Sequence, residues 1–168
     1  VDVRIVDEQD RDVPAGERGE LVFRGPNLPL GYVNGPEATV EALRGGWYHS
    51  GDVAYMDTEG YVYIVDRIKD TIICGGYNIY PKEVEDVIYA HPAVLDVAVV
   101  GVADEAKGEI PKAYVVLKPE ATVTAGELDA HCRQNLAAYK VPRVIEFMDA
   151  IPKTASGKTK RFLLRQQA

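Results

Sequence analysis

Cysteine, histidine and tryptophan are scarce in this chain, and no apolar stretch is long. Cys74 and Cys132 stand far apart, with neither a CxxC step nor any other metal-ligand spacing. They read as reduced thiols, buried or half-buried, rather than a disulfide, which suits a cytoplasmic protein. His49, His91 and His131 share no ligand-like pattern, so no metal site is expected. The longest apolar run, Val97 to Ala103, is far too short to span a bilayer, and no transmembrane segment is expected. A signal peptide is missing, and so is any Gly-x-x-x-x-Gly-Lys-Ser/Thr phosphate loop. The first residue is Val1 and not methionine, which suggests a piece of something longer.

What is present fits one domain or two small ones: 168 residues, of which 46% are hydrophobic. Lysine and arginine number 19 against 26 aspartates and glutamates, a net of −7. The acidic balance argues against general nucleic-acid binding. Charge is also segregated. After Asp149 there is no further carboxylate side chain, yet Lys153, Lys158, Lys160, Arg161 and Arg165 follow. The core of this tail, Pro152-Lys153-Thr154-Ala155-Ser156-Gly157-Lys158, places a lysine just after a glycine. Such a step lets the backbone approach a ligand while the ammonium reaches a phosphate or carboxylate. A frayed, solvated basic terminus is the other reading of the tail alone.

Period-two alternation predicts strands at Val1 to Asp7 and Glu20 to Arg24. A short helix is expected from Pro36 to Leu43, stopped by Gly45-Gly46. Strands at Val53 to Asp57 and Tyr61 to Val65 flank the hairpin signal Thr58-Glu59-Gly60. Asp66 to Asp70 reads as a charged link, followed by the strand Thr71 to Cys74 and then Gly75-Gly76. Pro81 opens a helix to about Ala90, with Val84, Val87 and Ile88 on one stripe. Strands at Val94 to Val102 and Ala113 to Leu117 come next. Thr124 and Glu127 form a capping box for a helix carrying Leu128, Cys132 and Leu136 inward. A strand at Val144 to Met148 and a helical turn at Phe162 to Leu164 close the chain. The expected class is α+β, with a β-rich N-terminal segment and then a small mixed domain whose short sheet is flanked by helices.

Three segments put polar residues among glycines beside strands. In Tyr48-His49-Ser50-Gly51-Asp52, an aspartate after a tight glycine turn can accept two neighbouring hydroxyls, as on a ribose, or can simply cap the turn. In Asp66 to Glu85, Gly75-Gly76 would let a slender ligand pass along the backbone, or mark a turn between strand and helix. The third is the tail with Lys158.

Taken in order, TyrHisSerGlyAsp, AspArgIleLysAsp with GlyGlyTyrAsnIleTyrPro, TyrLysValProArg and ProLysThrAlaSerGlyLys closely resemble the adenylate-forming superfamily. That superfamily holds acyl-CoA synthetases, luciferases and peptide-synthetase adenylation domains. The resemblance runs from the Gly19-Glu20-Leu21 strand to Arg165, and the wording after Gly75 is closest to the acyl- and aryl-CoA synthetase branch. It implies an acid–thiol ligase, AMP-forming, acting on a fatty or aryl acid. A carboxylate attacks the α-phosphate of ATP bound with Mg²⁺, giving acyl-AMP and pyrophosphate, and the thiol of coenzyme A then displaces AMP. By the same resemblance, Lys158 is the catalytic lysine bridging carboxylate and nucleotide. Asp52 and Arg67 bind the nucleotide, Lys69 is the hinge, and Gly75 and Gly76 line the pantetheine tunnel. Lys107, Lys140 and Arg143 are candidates for CoA phosphate contact. Lys107 stands where the branch often has an aromatic residue, and a plain solvated side chain is the favoured reading there; for Lys140 and Arg143 the other reading is surface charge flanking Pro142.

The resemblance further implies a division at residues 1–66, the end of a large N-terminal portion, and 67–168, a mobile C-terminal lid. The phosphate-gripping loop, the acyl pocket and most magnesium ligands would lie outside this chain, in its own N-terminal domain. The chain alone is then expected to be inactive. Two further readings are an adenylation domain loading a carrier-protein thiol and a stand-alone binding module without catalysis.

Overall fold

The computed structural model describes residues 1–167 of the chain and shows an α+β protein. It divides into two compact units, Val1–Lys69 and Asp70–Ala168.

The first unit is a four-stranded antiparallel sheet, β1 (Asp2–Val6), β2 (Gly19–Arg24), β3 (Tyr48–Met56) and β4 (Val62–Arg67), in that spatial order. Between β2 and β3 lies one short helix, α1 (Pro36–Ala42), with Pro36 in its first turn, where a missing N–H costs nothing. Ile5, Val6, Val22, Val53 and Ala54 are buried, and because Ile5–Val6 and Val53–Ala54 are neighbours, both faces of the strand are covered at those points and strict alternation gives way. The sequence places Tyr48 to Asp52 in a turn, but the segment is the first half of β3. The turn-like signal of Gly51 belongs instead to a local irregularity: the β2–β3 register shifts between Glu20 and Val22, and Gly51 has φ +71°.

The second unit holds β5 (Ile72–Cys74), β6 (Tyr77–Ile79), α2 (Pro81–Tyr89), β7 (Val94–Asp104), β8 (Gly108–Leu117), α3 (Ala125–Asn135), β9 (Val144–Phe147) and α4 (Arg161–Gln166). Its sheet runs β6-β5-β8-β7, with β9 added parallel to β8. Three residues are too few for sequence patterning to register β6, which exists because Gly75 and Gly76 close a two-residue hairpin onto β5. β7 and β8 form one long hairpin from Val94↔Leu117 to Asp104↔Gly108.

Alternation along that hairpin makes two cores. Val97, Val99, Ala113 and Val115 face α2 and α3, where Val84, Ile88, Leu128 and Cys132 are buried with them. Ala98, Val100, Tyr114 and Val116 face the other way and pack with Ile151 and Leu164. The basic tail therefore is not a frayed end. Its Ile151 and Leu164 pack on that face of the sheet, and the Tyr114 hydroxyl donates to the Leu164 carbonyl at 3.1 Å. Burying a leucine such as Leu164 contributes about 2 kcal/mol. The capping box of α3 is complete: Glu127 N–H donates to Thr124 Oγ1 at 3.2 Å and Thr124 N–H to Glu127 Oε2 at 2.8 Å. No helix among the described residues is long and apolar enough to cross a membrane.

Candidate functional site

In the first unit, Asp52 and Arg67 are direct partners across β3 and β4. Arg67 Nε lies 3.1 Å from Asp52 Oδ1, with the guanidinium half-exposed. The irregularity that presents Asp52 is pinned by side chains. Ser50 Oγ donates to the Leu21 carbonyl and accepts from Asp52 N–H, at 2.8 and 3.0 Å. Glu20 accepts Gly51 N–H on Oε1 at 3.1 Å. Its Oε2 faces His49 Nδ1 at 2.8 Å and Arg44 at 3.1 Å. A Cβ on Gly51 would sit 3.7 Å from the Arg67 guanidinium, in a left-handed backbone that L side chains rarely adopt.

Beside this pair is a cleft of about 370 Å³ lined by Tyr32, Arg44, Tyr48, His49, Gly51 and Arg67, among others. The two tyrosine hydroxyls meet at 3.2 Å. That bond, followed by burial, raises the Tyr48 phenol above its ordinary pKa, so it stays a neutral hydroxyl. The cleft thus offers the carboxylates of Glu20 and Glu41, two guanidinium groups and hydroxyls, with Asp52 beside it on Arg67, a donor and acceptor set suited to a sugar with a charged substituent. Sequence reading did not single out Glu20, Arg44 or Tyr32, and only the folded chain brings them to one cleft with Gly51 and Arg67.

Between Arg67 and Thr71 the chain is not uniformly solvated. Ile68–Asp70 forms one 3-10 turn in which Lys69 is exposed and Asp70 is buried. Arg165 from α4 meets Asp70 Oδ1 at 2.9 Å.

In the second unit, Gly75 and Gly76 sit at the exposed tip of the β5–β6 hairpin with φ of +57° and +83°. A Cβ on either would meet nothing within 4 Å, so the turn geometry alone accounts for both glycines. Gly75 N–H donates to the Lys107 carbonyl at 2.9 Å, and the Lys107 side chain is exposed in the β7–β8 turn. Tyr77, next along, stacks on Tyr139 at 4.8 Å between centroids. Lys140 is not free toward solvent, for Glu83 pairs with its ammonium. Arg143 is exposed and held by its backbone N–H on the Pro111 carbonyl at 2.9 Å.

Lys158 is exposed, at the end of a compact loop. Lys153 and Thr159 form a β-bridge at its base. Thr154 N–H donates to the Lys158 carbonyl at 2.8 Å, and Lys158 N–H returns to Thr154 Oγ1 at 3.1 Å. Three other cations of the tail are neutralised on their own unit: Lys153 by Asp96, Arg161 by Glu85 and Arg165 by Asp70. The charge segregation seen along the chain thus has internal targets, which linear patterning could not reveal. Its outcome is a backbone held on both sides of Lys158 while the ammonium projects outward.

His91 and His131, distant in the chain, meet edge to face at 5.2 Å. No group of three or more histidine, cysteine, aspartate or glutamate side chains that could hold a metal ion occurs among the described residues. Cys74 and Cys132 are free and buried.

Residues 83–158 match the family described as the AMP-binding enzyme C-terminal domain. The chain is 48% identical over 167 residues to the long-chain-fatty-acid–CoA ligase of Bacillus subtilis (strain 168), covering 99% of this chain and 30% of that enzyme. It is 52% identical over 157 residues to a feruloyl-CoA synthase of an Amycolatopsis species, covering 94% and 32%. It therefore spans about a third of the length of the curated relatives it matches. Among solved structures, ATP-bound MatB from Rhodopseudomonas palustris aligns with a TM-score of 0.94 at 36% identity, over 99% of this chain and 33% of that one. The o-succinylbenzoate-CoA synthetase of Bacillus subtilis, in complex with its acyl-adenylate intermediate, aligns with a TM-score of 0.92 at 40% identity, over 98% and 33%.

Proposed function

We propose that the chain, whose residues 83–158 match the AMP-binding enzyme C-terminal domain, is a C-terminal portion of an adenylate-forming acyl-CoA synthetase and serves a longer enzyme that converts a carboxylic acid, ATP and CoA into acyl-AMP and then acyl-CoA. The observation that carries this reading is the exposed Lys158 ammonium on a loop held at both ends.

Lys158 is the catalytic group of the first step. As the acid's oxygen attacks the α-phosphate, negative charge moves onto the phosphoryl oxygens and the leaving pyrophosphate. A cation set there in advance lowers that barrier without reorganising. Asp52 accepts the ribose hydroxyls, and Arg67, oriented by its ladder partner, lies on the ribose or the phosphate side. The β3 irregularity and Tyr48 border the same cleft. Lys69 is the hinge about which residues 70–168 turn between adenylation and thiolation. In the second state, Gly75 and Gly76 border the pantetheine path, and Lys107 and Arg143 face CoA phosphates. Lys140 is the weakest of those candidates, since Glu83 already neutralises it.

Magnesium accompanies ATP in this chemistry. The described residues include no cluster that could hold it, and none of the steps above runs through it. The N-terminal domain of the same enzyme is the partner that supplies the acyl pocket and the grip on the triphosphate. The unbridged cysteines suit the cytoplasm.

The test separates the half-reactions in the full-length enzyme. Lys158→Ala is expected to slow pyrophosphate exchange by about 100-fold or more, with thioester formation from preformed acyl-AMP largely kept. Equal loss in both half-reactions would strip Lys158 of its part in the first step.

A further inference from the structure

Lys158 lies between two anchors, and the second is built differently from an ordinary surface ion pair. Arg161, the first residue of α4, reaches Glu85 of α2, with Nη2 at 2.6 Å from Oε1. The same Oε1 accepts Val99 N–H at 2.8 Å, and Arg161 Nε donates to the Val99 carbonyl at 3.3 Å. The side chains are only 18% and 12% exposed, and Val99 is fully buried. By contrast, the Lys153–Asp96 pair on the other side of the loop is 41% and 30% exposed.

β7 ends the strand order of its sheet, so the outer edge of Val99 has no strand beside it. Glu85 and Arg161 fill that edge: one takes the N–H, the other gives to the carbonyl. Closing an edge does not require charges. Drawing two ions this far out of water is costly, so the pair is a poor device for stability alone. What it specifies is position. Glu85 and Val99 together accept Arg161 in one register only, and three residues of chain reach at most about 10 Å. The Lys158 backbone is therefore tied to that point on β7.

We infer that Glu85 is a positioning residue for adenylation, acting through Arg161 to hold the Lys158 loop in register. This rests on Lys158 being the catalytic group of the first step.

Glu85→Gln keeps an acceptor for Val99 N–H and removes the charge that holds Arg161. In the 168-residue chain, heteronuclear NOE values at Gly157 and Lys158 are expected to fall, with circular dichroism unchanged. Arg161→Lys, which keeps the charge and loses the fork, should produce a smaller fall. In the full-length enzyme, Glu85→Gln should lower kcat for pyrophosphate exchange by about tenfold. KM for ATP should hold within about twofold, and thioester formation from acyl-AMP should be unaffected. A loop as ordered in both variants as in the parent overturns the inference. So does a loosened loop with full adenylation in an enzyme that Lys158→Ala disables. If Lys158→Ala itself adenylates normally, the reading of Lys158 fails first and the inference falls with it, whatever the NOE values show.

Discussion

Asp70, the first residue of the second unit, holds Arg165, close to the far end of that unit, at 2.9 Å. The carboxylate is 11% exposed and the guanidinium 36%. The ion pair fastens the start of the unit to its last helix, directly after the exposed Lys69. In the proposed hinge, rotation would then be confined to residues before Asp70, since Asp70 itself belongs to the moving body.

Arg165→Leu leaves that buried carboxylate without the Arg165 guanidinium. Because Arg165 is partly solvated, the cost is discounted to about 1–2 kcal/mol. Urea unfolding of the second unit should show it as a lower midpoint. An unchanged midpoint would mean the pair contributes nothing to docking α4.

Glu20→Ala removes the acceptor of Gly51 N–H and the partner of His49 and Arg44. Losing a buried hydrogen-bond partner costs about 1–3 kcal/mol. Amide exchange at Gly51 and Asp52 should accelerate by about 10-fold or more while exchange in β7 and β8 stays the same. Slow exchange at Gly51 in the variant would show that the strand irregularity holds itself.

The glycine hairpin has a conformational explanation and a proposed ligand role, and one substitution separates them. Asparagine tolerates left-handed backbone, so Gly75→Asn keeps the turn at a cost of about 1 kcal/mol or less. In the full-length enzyme it should slow thioester formation from acyl-AMP and spare pyrophosphate exchange. Unimpaired thiolation would reduce both glycines to turn formers.

Burial pushes the Cys132 thiol up to about 11 from 9.0, with Asp129 adding a smaller push. The unfolded chain releases this proton first, so below the unfolded value the thiol adds no pH dependence to stability. Between about pH 9 and 11 stability should fall as pH rises. Cys132→Ala should flatten that part of the stability curve. Alkylation of the native thiol near pH 8 should be slow, and rapid labelling would contradict its burial.

Much of the fold was legible along the chain. Alternation and capping residues are local, so most strands, α2 and the Thr124–Glu127 box could be read from neighbours a few positions apart. The ordered motifs carrying Asp52, Arg67, Gly75 and Lys158 carried the family resemblance for the same reason, since order along a chain needs no fold to be seen. Three readings needed the third dimension. The basic tail looked free because its acidic partners, Glu85, Asp96 and Asp70, lie 57 or more positions away in the chain. Tyr48 to Asp52 looked like a turn because a strand irregularity and a turn demand the same glycine. Lys140 looked available because nothing near it in sequence announces Glu83. Local sequence determined which segments form strands and helices, through backbone preference and side-chain periodicity. Only tertiary packing decided which charges are neutralised within the protein and which, like Lys158, remain exposed, because an ion pair depends on distance through space and not along the chain.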